Sequence, residues 1–331
     1  MTKKPAKKSP SKKKPAPNAG VAAAMRQMER LMASGDLIVQ SDLEALLASL
    51  QGPSVDDGLS DAEADARAEA QELAFDAMEA ESRAQARKLA KRALKLDPNC
   101  VDALVVMNDL DAPTASALIL GLQGAVAVGE RSLGAQFIRE NTGHFWMLIE
   151  TRPYMRAMEQ LAGLLFSEGL HLDAIHIYER MLKLNPNDNQ GVRDSLLGAY
   201  LCADNLKGAG RLLKKYRDDA GANFAWGRVL ERFLAGDQAS ARAALEEARN
   251  ANPFVELYMT AQKRAPDNLP ETYQLGSEEE AVLCMNAVGR AWALQKDAVF
   301  WLLDQREAEG KRVVPSKNVL KRLHVAGKKL Q

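Results

Sequence analysis

The 331-residue chain is 47% hydrophobic, 27% charged and 5% aromatic, the proportions of a globular protein in which helix outweighs sheet. Its three cysteines, Cys100, Cys202 and Cys284, are odd in number and far apart, and its longest apolar run, 117–128, is broken by Gln123; a disulfide framework and a membrane span are therefore excluded. The net charge of zero hides seven Lys and no acid in 1–18, seven bases and no acid in 311–331, and 30 bases against 44 acids between them. Lys and Pro stand where a signal peptide carries its apolar stretch, so a reducing, cytoplasmic location is expected, with no membrane contact.

Residues 1–18, rich in Lys, Pro and Ser, carry too little apolar surface to fold and read as a solubilising tail. Residues 19–50 read as a helical hairpin, with Gly35 and Asp36 at the turn and Ser41 and Asp42 opening the second helix. Residues 51–60 form a linker broken by Gly52, Pro53 and Gly58. From Asp61 the pattern is helical and acidic, with eight acids up to Glu81 against Arg67 alone.

A repeat then emerges. Leu96-Asp97-Pro98-Asn99, Leu184-Asn185-Pro186-Asn187 and Ala251-Asn252-Pro253 end three alike segments. Twelve residues before each proline stand Ala86, Ala174 and Ala241; five before it stand Ala93, Met181 and Ala248; eight before it stand Ala90, Tyr178 and Leu245. Small residues let two helices approach, the larger one fills the gap between units, and proline ends the second helix. The pattern resembles the tetratricopeptide repeat, a 34-residue helix–turn–helix unit, and implies an all-α solenoid of about five helix pairs, two of them degenerate. The 67 residues from Pro186 to Pro253 admit one degenerate unit, whose second helix uses Ala209, Leu213 and Tyr216. The 88 from Pro98 to Pro186 admit a unit at 101–132, with Ala127 in its late small-residue slot, and a surplus at 133–152. Two repeats thus occupy 61–132, an insertion 133–152, the remaining repeats 153–253, capping helices 254–310 and a basic tail 311–331. Gly169 and Gly236, each 17 residues before its proline, fall at the turns between paired helices. Ser277 and Glu280 predict a capping box opening the C-terminal helices.

Catalytic templates fail. Gly124 and Gly129 have phosphate-loop spacing, but Glu130-Arg131 follows where Lys and Ser or Thr are required. His171 and His176 are five apart, a poor fit to one helix face for a metal. Cys202 has no basic neighbour in sequence to activate it. The least repeat-like stretch, 139–156, gathers His144, Trp146, Glu150 and Arg152. As a functional loop it would use His144 and Glu150 for acid–base chemistry. As a structural insertion, the favoured reading, Trp146 packs on the stack and Arg152 pairs with Glu150.

This insertion, followed by Leu184-Asn185-Pro186-Asn187-Asp188-Asn189-Gln190-Gly191-Val192-Arg193, Ala251-Asn252-Pro253-Phe254-Val255 and Gly276-Ser277-Glu278-Glu279-Glu280-Ala281, resembles bacterial tetratricopeptide-repeat proteins similar to the suppressor of tumorigenicity seven family. The resemblance spans about 70–295 and implies a helical repeat scaffold with no catalytic residue set and no cofactor. The membrane segments of the eukaryotic members are not expected here.

The expected function is a non-catalytic scaffold that holds a protein or peptide in the groove lined by the first helix of each pair. Aligned on the prolines, that groove presents Phe75 and Met78, then Glu159 and Phe166, then Asp194 and Leu201, and last Trp226, Leu230 and Phe233. Trp226 and Phe233 stand seven apart with Leu230 between them, an apolar anchor if the groove wall is open. Gln71, Glu159, Asp194 and Trp226 share one diagnostic position and lack the Lys, Asn and Arg of a carboxylate clamp, so an apolar peptide with basic residues is the better fit. The rivals are an adaptor that touches nucleic acid weakly and without sequence preference through its Lys-rich ends, and an enzyme centred on 139–156.

Overall fold

The computed structural model describes residues 60–266 and 268–311; the expected tail, hairpin and most of the linker, and the basic tail beyond Lys311, lie outside them. Among the described residues there are fourteen α-helices and no strand. The elements are α1 (Asp61–Met78), α2 (Arg83–Leu96), α3 (Val101–Asp111), α4 (Ala115–Leu133), α5 (Ala135–Glu140), α6 (Arg152–Ser167), α7 (His171–Leu184), α8 (Val192–Cys202), α9 (Leu206–Lys215), α10 (Ala222–Leu234), α11 (Gln238–Ala251), α12 (Val255–Met259), α13 (Glu278–Leu294) and α14 (Lys296–Ala308). No described helix is long and apolar enough to cross a membrane.

Local chemistry sets the helix ends. Ser60 and Glu63 form a reciprocal capping box at α1, and Ser82, Thr114, Asn205, Asp237 and Ser277 each accept a backbone N–H at a later N-terminus. The helices before Pro98, Pro186 and Pro253 stop at Leu96, Leu184 and Ala251. In two of these ends the preceding side chain turns the chain: Asp97 Oδ1 accepts from Asn99 N at 2.9 Å and Asn252 Oδ1 from Phe254 N at 3.0 Å. Gly169 and Gly236 occupy the turns between paired helices at φ of +81° and +79°, where a Cβ is strained.

The helices pair as α1/α2, α3/α4, α6/α7, α8/α9 and α10/α11, and each pair packs on the next. First helices touch first helices along the row, whereas no such close approach joins successive second helices; the first helices therefore line the inner face. The residues in the spaced small-residue slots are all buried: Ala86, Ala90 and Ala93, Ala174, Tyr178 and Met181, and Ala241, Leu245 and Ala248. In α4 the close contact is not at Ala127, which is only partly buried. Gly129 takes that place, because a Cβ there would lie 2.9 Å from the Tyr154 ring of α6.

The insertion folds as α5 and two single 3₁₀ turns, Phe145–Met147 and Ile149–Thr151. Phe145 is its buried plug, meeting Phe137 and Tyr154 at ring-centroid distances of 6.5 and 6.3 Å. Gly143 N donates to Leu184 O at 3.0 Å and ties the segment to the end of α7.

The C-terminal helices do more than cover an exposed end. Helix α13 turns back and lies along α8 and α10, on the inner face. Ten of its residues are buried. At its tightest approach to α8, a Cβ on Gly198 would sit 3.1 Å from the carbonyl carbon of Ala287 and inside van der Waals contact of its oxygen. Helix α14 is fastened by a buried cluster in which Glu256 takes Arg249 Nη2 at 2.7 Å and Arg306 Nη1 at 2.8 Å.

Candidate functional site

The inner face begins as a ladder of polar side chains joining one first helix to the next. Gln71 of α1 donates to Asp102 of α3 at 2.7 Å, and Arg156 of α6 forms an ion pair with the same carboxylate. Asp102 is buried, so this pairing is what makes its charge tolerable there. Arg156 also covers the Phe75 ring, 5.3 Å from its centroid. One step on, Gln190 Nε2 donates to Glu159 Oε2 at 2.5 Å. Burial pushes the Glu159 carboxyl above its usual range, and the Gln190 hydrogen bond pulls against that shift.

Beyond α6 the face is occupied by the chain itself. Trp226, Leu230 and Leu201 are fully buried, which removes the expected apolar anchor from the groove. The physical reason is α13. Trp292 meets Trp226 edge to face at 6.3 Å, and Trp226 Nε1 donates to Asn252 O at 3.3 Å. Phe233 is half-buried against Trp301 of α14 at 5.2 Å. Phe166 is flanked by His171 at 5.6 Å and by the Arg290 guanidinium at 6.0 Å, while Arg290 donates to Phe166 O and Ser167 O at the end of α6. Of the expected groove residues, Met78 is exposed and Glu159 and Asp194 remain partly open.

At the edge of this plug lies a cleft of about 570 Å³. It opens where the N-termini of α8, α10 and α13 meet, and its rim is the irregular strip that carries Tyr273 and Leu275. Both rim side chains are exposed, at 53% and 66%. Carboxylates satisfy backbone donors at the starts of α8 and α10. Asp188 Oδ1 accepts from Val192 N at 2.8 Å and Asp219 Oδ1 from Gly221 N at 2.8 Å. Glu280 accepts from Ala222 N at 2.9 Å, Asn252 Nδ2 at 2.9 Å and Gly276 N at 2.7 Å. Ser277 caps α13 as expected, accepting from Glu280 N at 3.2 Å. The Glu280 carboxylate, however, leaves the expected box and bridges to α10. Arg193 is neutralised by Asp188 at 3.2 Å and Asp219 at 2.9 Å.

Asp194, on the cleft wall, is not committed to a helix start. Burial pushes its carboxyl up to about 6, against its hydrogen bond from Asn223 and the charge of Arg193. Two further acceptors of the lining, Asn223 Oδ1 and Gln190 Oε1, are buried with no hydrogen-bond partner. Tyr273 is near enough to Asp194, Glu280 and Asp219 for their charges to add to burial in raising its phenol. The cleft is therefore rich in acceptors and negative charge.

The residues of the insertion lie elsewhere. His144 and Glu150 are exposed and line no part of the cleft. Arg152 is buried, with its guanidinium 4.8 Å over the Trp146 ring and Nε donating to Trp146 O at 3.2 Å. Trp146 and Arg152 thus stack on each other and stiffen the turn. Burial pushes the Cys100 and Cys202 thiols up to about 12, and Cys284 well above the ordinary thiol range. Among the described residues no three His, Cys, Asp or Glu side chains are grouped to hold a metal.

Sequence reasoning named Asp194 but missed Glu280 as a bridge, Asn223 and Tyr273. A signal for Glu280 was present: the Asn252-Pro253 step and the acidic start at 278–280, which the fold joins directly through Asn252 Nδ2. No protein-family model matches the chain, and no curated protein matches it.

Proposed function

We propose that this chain is a non-catalytic, tetratricopeptide-like scaffold of the cytoplasm that binds a protein or peptide partner on its inner helical face. The observation that carries this reading is the open cleft beside α8 and α10, with its acceptor-rich wall and its exposed Tyr273 and Leu275. A large aromatic left in solvent beside a concavity is the usual composition of a binding site for another chain. The repeat-like spacing and the resemblance to the suppressor of tumorigenicity seven family support the same reading. The rest of the groove is filled by α13, so the partner engages its edge and the stretch from α1 to α6.

Site-directed photo-crosslinking tests it. A photoreactive residue replacing Tyr273 should join a discrete partner in a cytoplasmic extract, and one replacing Leu120, 70% exposed on a second helix, should not. Equal labelling from both positions would count against the inner face. The rival adaptor reading rests on the Lys-rich ends; it requires nucleic-acid affinity that falls steeply with salt and is lost on removing residues 1–18 and 311–331 together.

A further inference from the structure

We infer that the cleft at the starts of α8, α10 and α13 receives an arginine side chain from an extended segment of the partner, with Asp194 as its counter-ion and Tyr273 and Leu275 gripping its stem. This deepens the proposed scaffold reading and rests on it.

The argument starts from what each charged group of the cleft already does. Asp188, Asp219 and Glu280 accept backbone N–H groups at the starts of α8 and α10, and Arg193 is held between two of them. That division of labour leaves Asp194 with an amide donor from Asn223 and a neighbouring, already neutralised, guanidinium. In the same lining, Asn223 Oδ1 and Gln190 Oε1 have no donor at all. A buried acceptor without a donor costs the full desolvation of that group. Two such atoms and one under-compensated carboxylate in the lining of one cleft form a set that lacks donors and positive charge, but not acceptors.

The ligand chemistry follows. An anion is repelled, because the carboxylates outnumber the single arginine and have already taken the helix-start donors. A neutral apolar group leaves the acceptors unsatisfied. A guanidinium supplies five N–H donors in one plane, and its weak hydration makes it the cation most readily taken from water. An ammonium offers the charge but only three donors about one point. The rim agrees with this choice: Tyr273 presents an aromatic face for stacking a guanidinium, and Leu275 an apolar surface for its methylene stem. At about 570 Å³ the cleft also has room for flanking main chain, which favours an extended peptide over a free small molecule.

The test uses the full chain and a random 12-residue peptide display library. Peptides enriched on the wild type should share an arginine beside an apolar residue. Replacing that arginine by citrulline, which keeps the shape and removes the charge, should weaken a selected peptide about tenfold or more. Asp194→Asn should weaken the arginine peptide by a similar factor, and on that variant the arginine and citrulline peptides should bind alike. This coupling is a readout that a merely destabilised fold does not produce. Tyr273→Ala, at an exposed position, should leave thermal stability unchanged and still lose several-fold in affinity. Enriched peptides without a basic residue, a preference for lysine, or equal citrulline penalties on wild type and Asp194→Asn would overturn the assignment and leave peptide binding intact. Failure to enrich any peptide would overturn the arginine assignment, and together with equal crosslinking from Tyr273 and Leu120 it would overturn the scaffold reading as well.

Discussion

Substituting Gly198 by alanine tests whether α13 rests on the inner face. The added methyl would stand 3.1 Å from Ala287 C, closer still to Ala287 O, and 3.6 Å from Phe166 Cζ. The obstacle is backbone, so no rotamer change relieves it. Restoring an ordinary contact of about 3.5 Å to that oxygen requires α8 and α13 to part by roughly 1.5 Å. The movement loosens the burial of a helix with ten buried residues, among them Trp292. Overpacking of this kind costs about 1–3 kcal/mol, and an immovable neighbour puts this site at about 3. Alanine returns about 1 kcal/mol over glycine in a helix, leaving a net loss of about 2 kcal/mol. For a protein of this size that lowers Tm by about 3–4 °C. Gly124 of α4 is the control: it is exposed, with nothing within 4 Å of an added Cβ. Gly124→Ala should gain up to about 1 kcal/mol. Thermal and urea denaturation of both variants decide the matter. If Gly198→Ala were as stable as Gly124→Ala, α13 would not pack where it is described.

Trp226→Ala should cost about 3–5 kcal/mol of stability by urea denaturation, the loss of a core aromatic; unchanged stability would return Trp226 to the surface. Ala174→Leu and Ala241→Leu should each cost about 1–3 kcal/mol, and a wild-type denaturation midpoint in either would remove that alanine from the helix contact. Glu256→Ala removes the buried carboxylate that takes both Arg249 Nη2 and Arg306 Nη1 and should cost about 3–5 kcal/mol, whereas a loss below about 1 kcal/mol would mean that this pairing does not fasten α14. Asp194 has a folded pKa of about 6 against an ordinary 3.8. It holds its proton more tightly when folded, so ionisation penalises folding above pH 6, and the penalty fades as pH falls from about 6 to about 3.8. Asp194→Asn should therefore be more stable than wild type at pH 8, by at most about 3 kcal/mol, and equal to it near pH 4; an equal difference at both values would show that the carboxyl is not perturbed.

The helix pairs were legible because their signals are local. Proline after Asp97, Asn185 and Asn252 stops a helix whatever surrounds it, and Gly169 and Gly236 supply the positive φ that a tight turn requires. In the spaced slots, Ala86, Ala174 and Ala241 mark helix approaches that need no knowledge of distant residues. Ala127 failed because Ala125 and Gly129, four apart on one face, are the buried small residues, and Ala127 stands two residues from each, on nearly the opposite face. A run rich in small residues on both faces does not say which face makes the contact. The anchor at Trp226 was misread for another reason. An apolar stripe at 226, 230 and 233 states that something covers it, and only the long return from Met259 to Glu278 decides that the cover is α13. Glu280 was read as a local cap because its nearest donors in sequence make that bond plausible; its partners Ala222 and Asn252 are 58 and 28 residues away.

Helix α13 also changes how the row of pairs must come apart. An open array loses its pairs one at a time, since each touches only its neighbours. Here Arg290 reaches carbonyl groups 123 and 124 positions earlier, at the end of α6, and Gln295 reaches Asp204. That strut ties the third, fourth and fifth pairs into one cooperative unit. The first pair shares with the start of α3 a small, separate core of mostly alanines and stands outside the unit. Amide exchange in α1 and α2 should therefore proceed through a low-energy local opening, while α6, α8, α10 and α13 exchange together at the free energy of global unfolding. Assembly carries the same imprint: seating α13 requires the closure of a loop more than a hundred residues long, a distant contact for an array whose described elements are all helices.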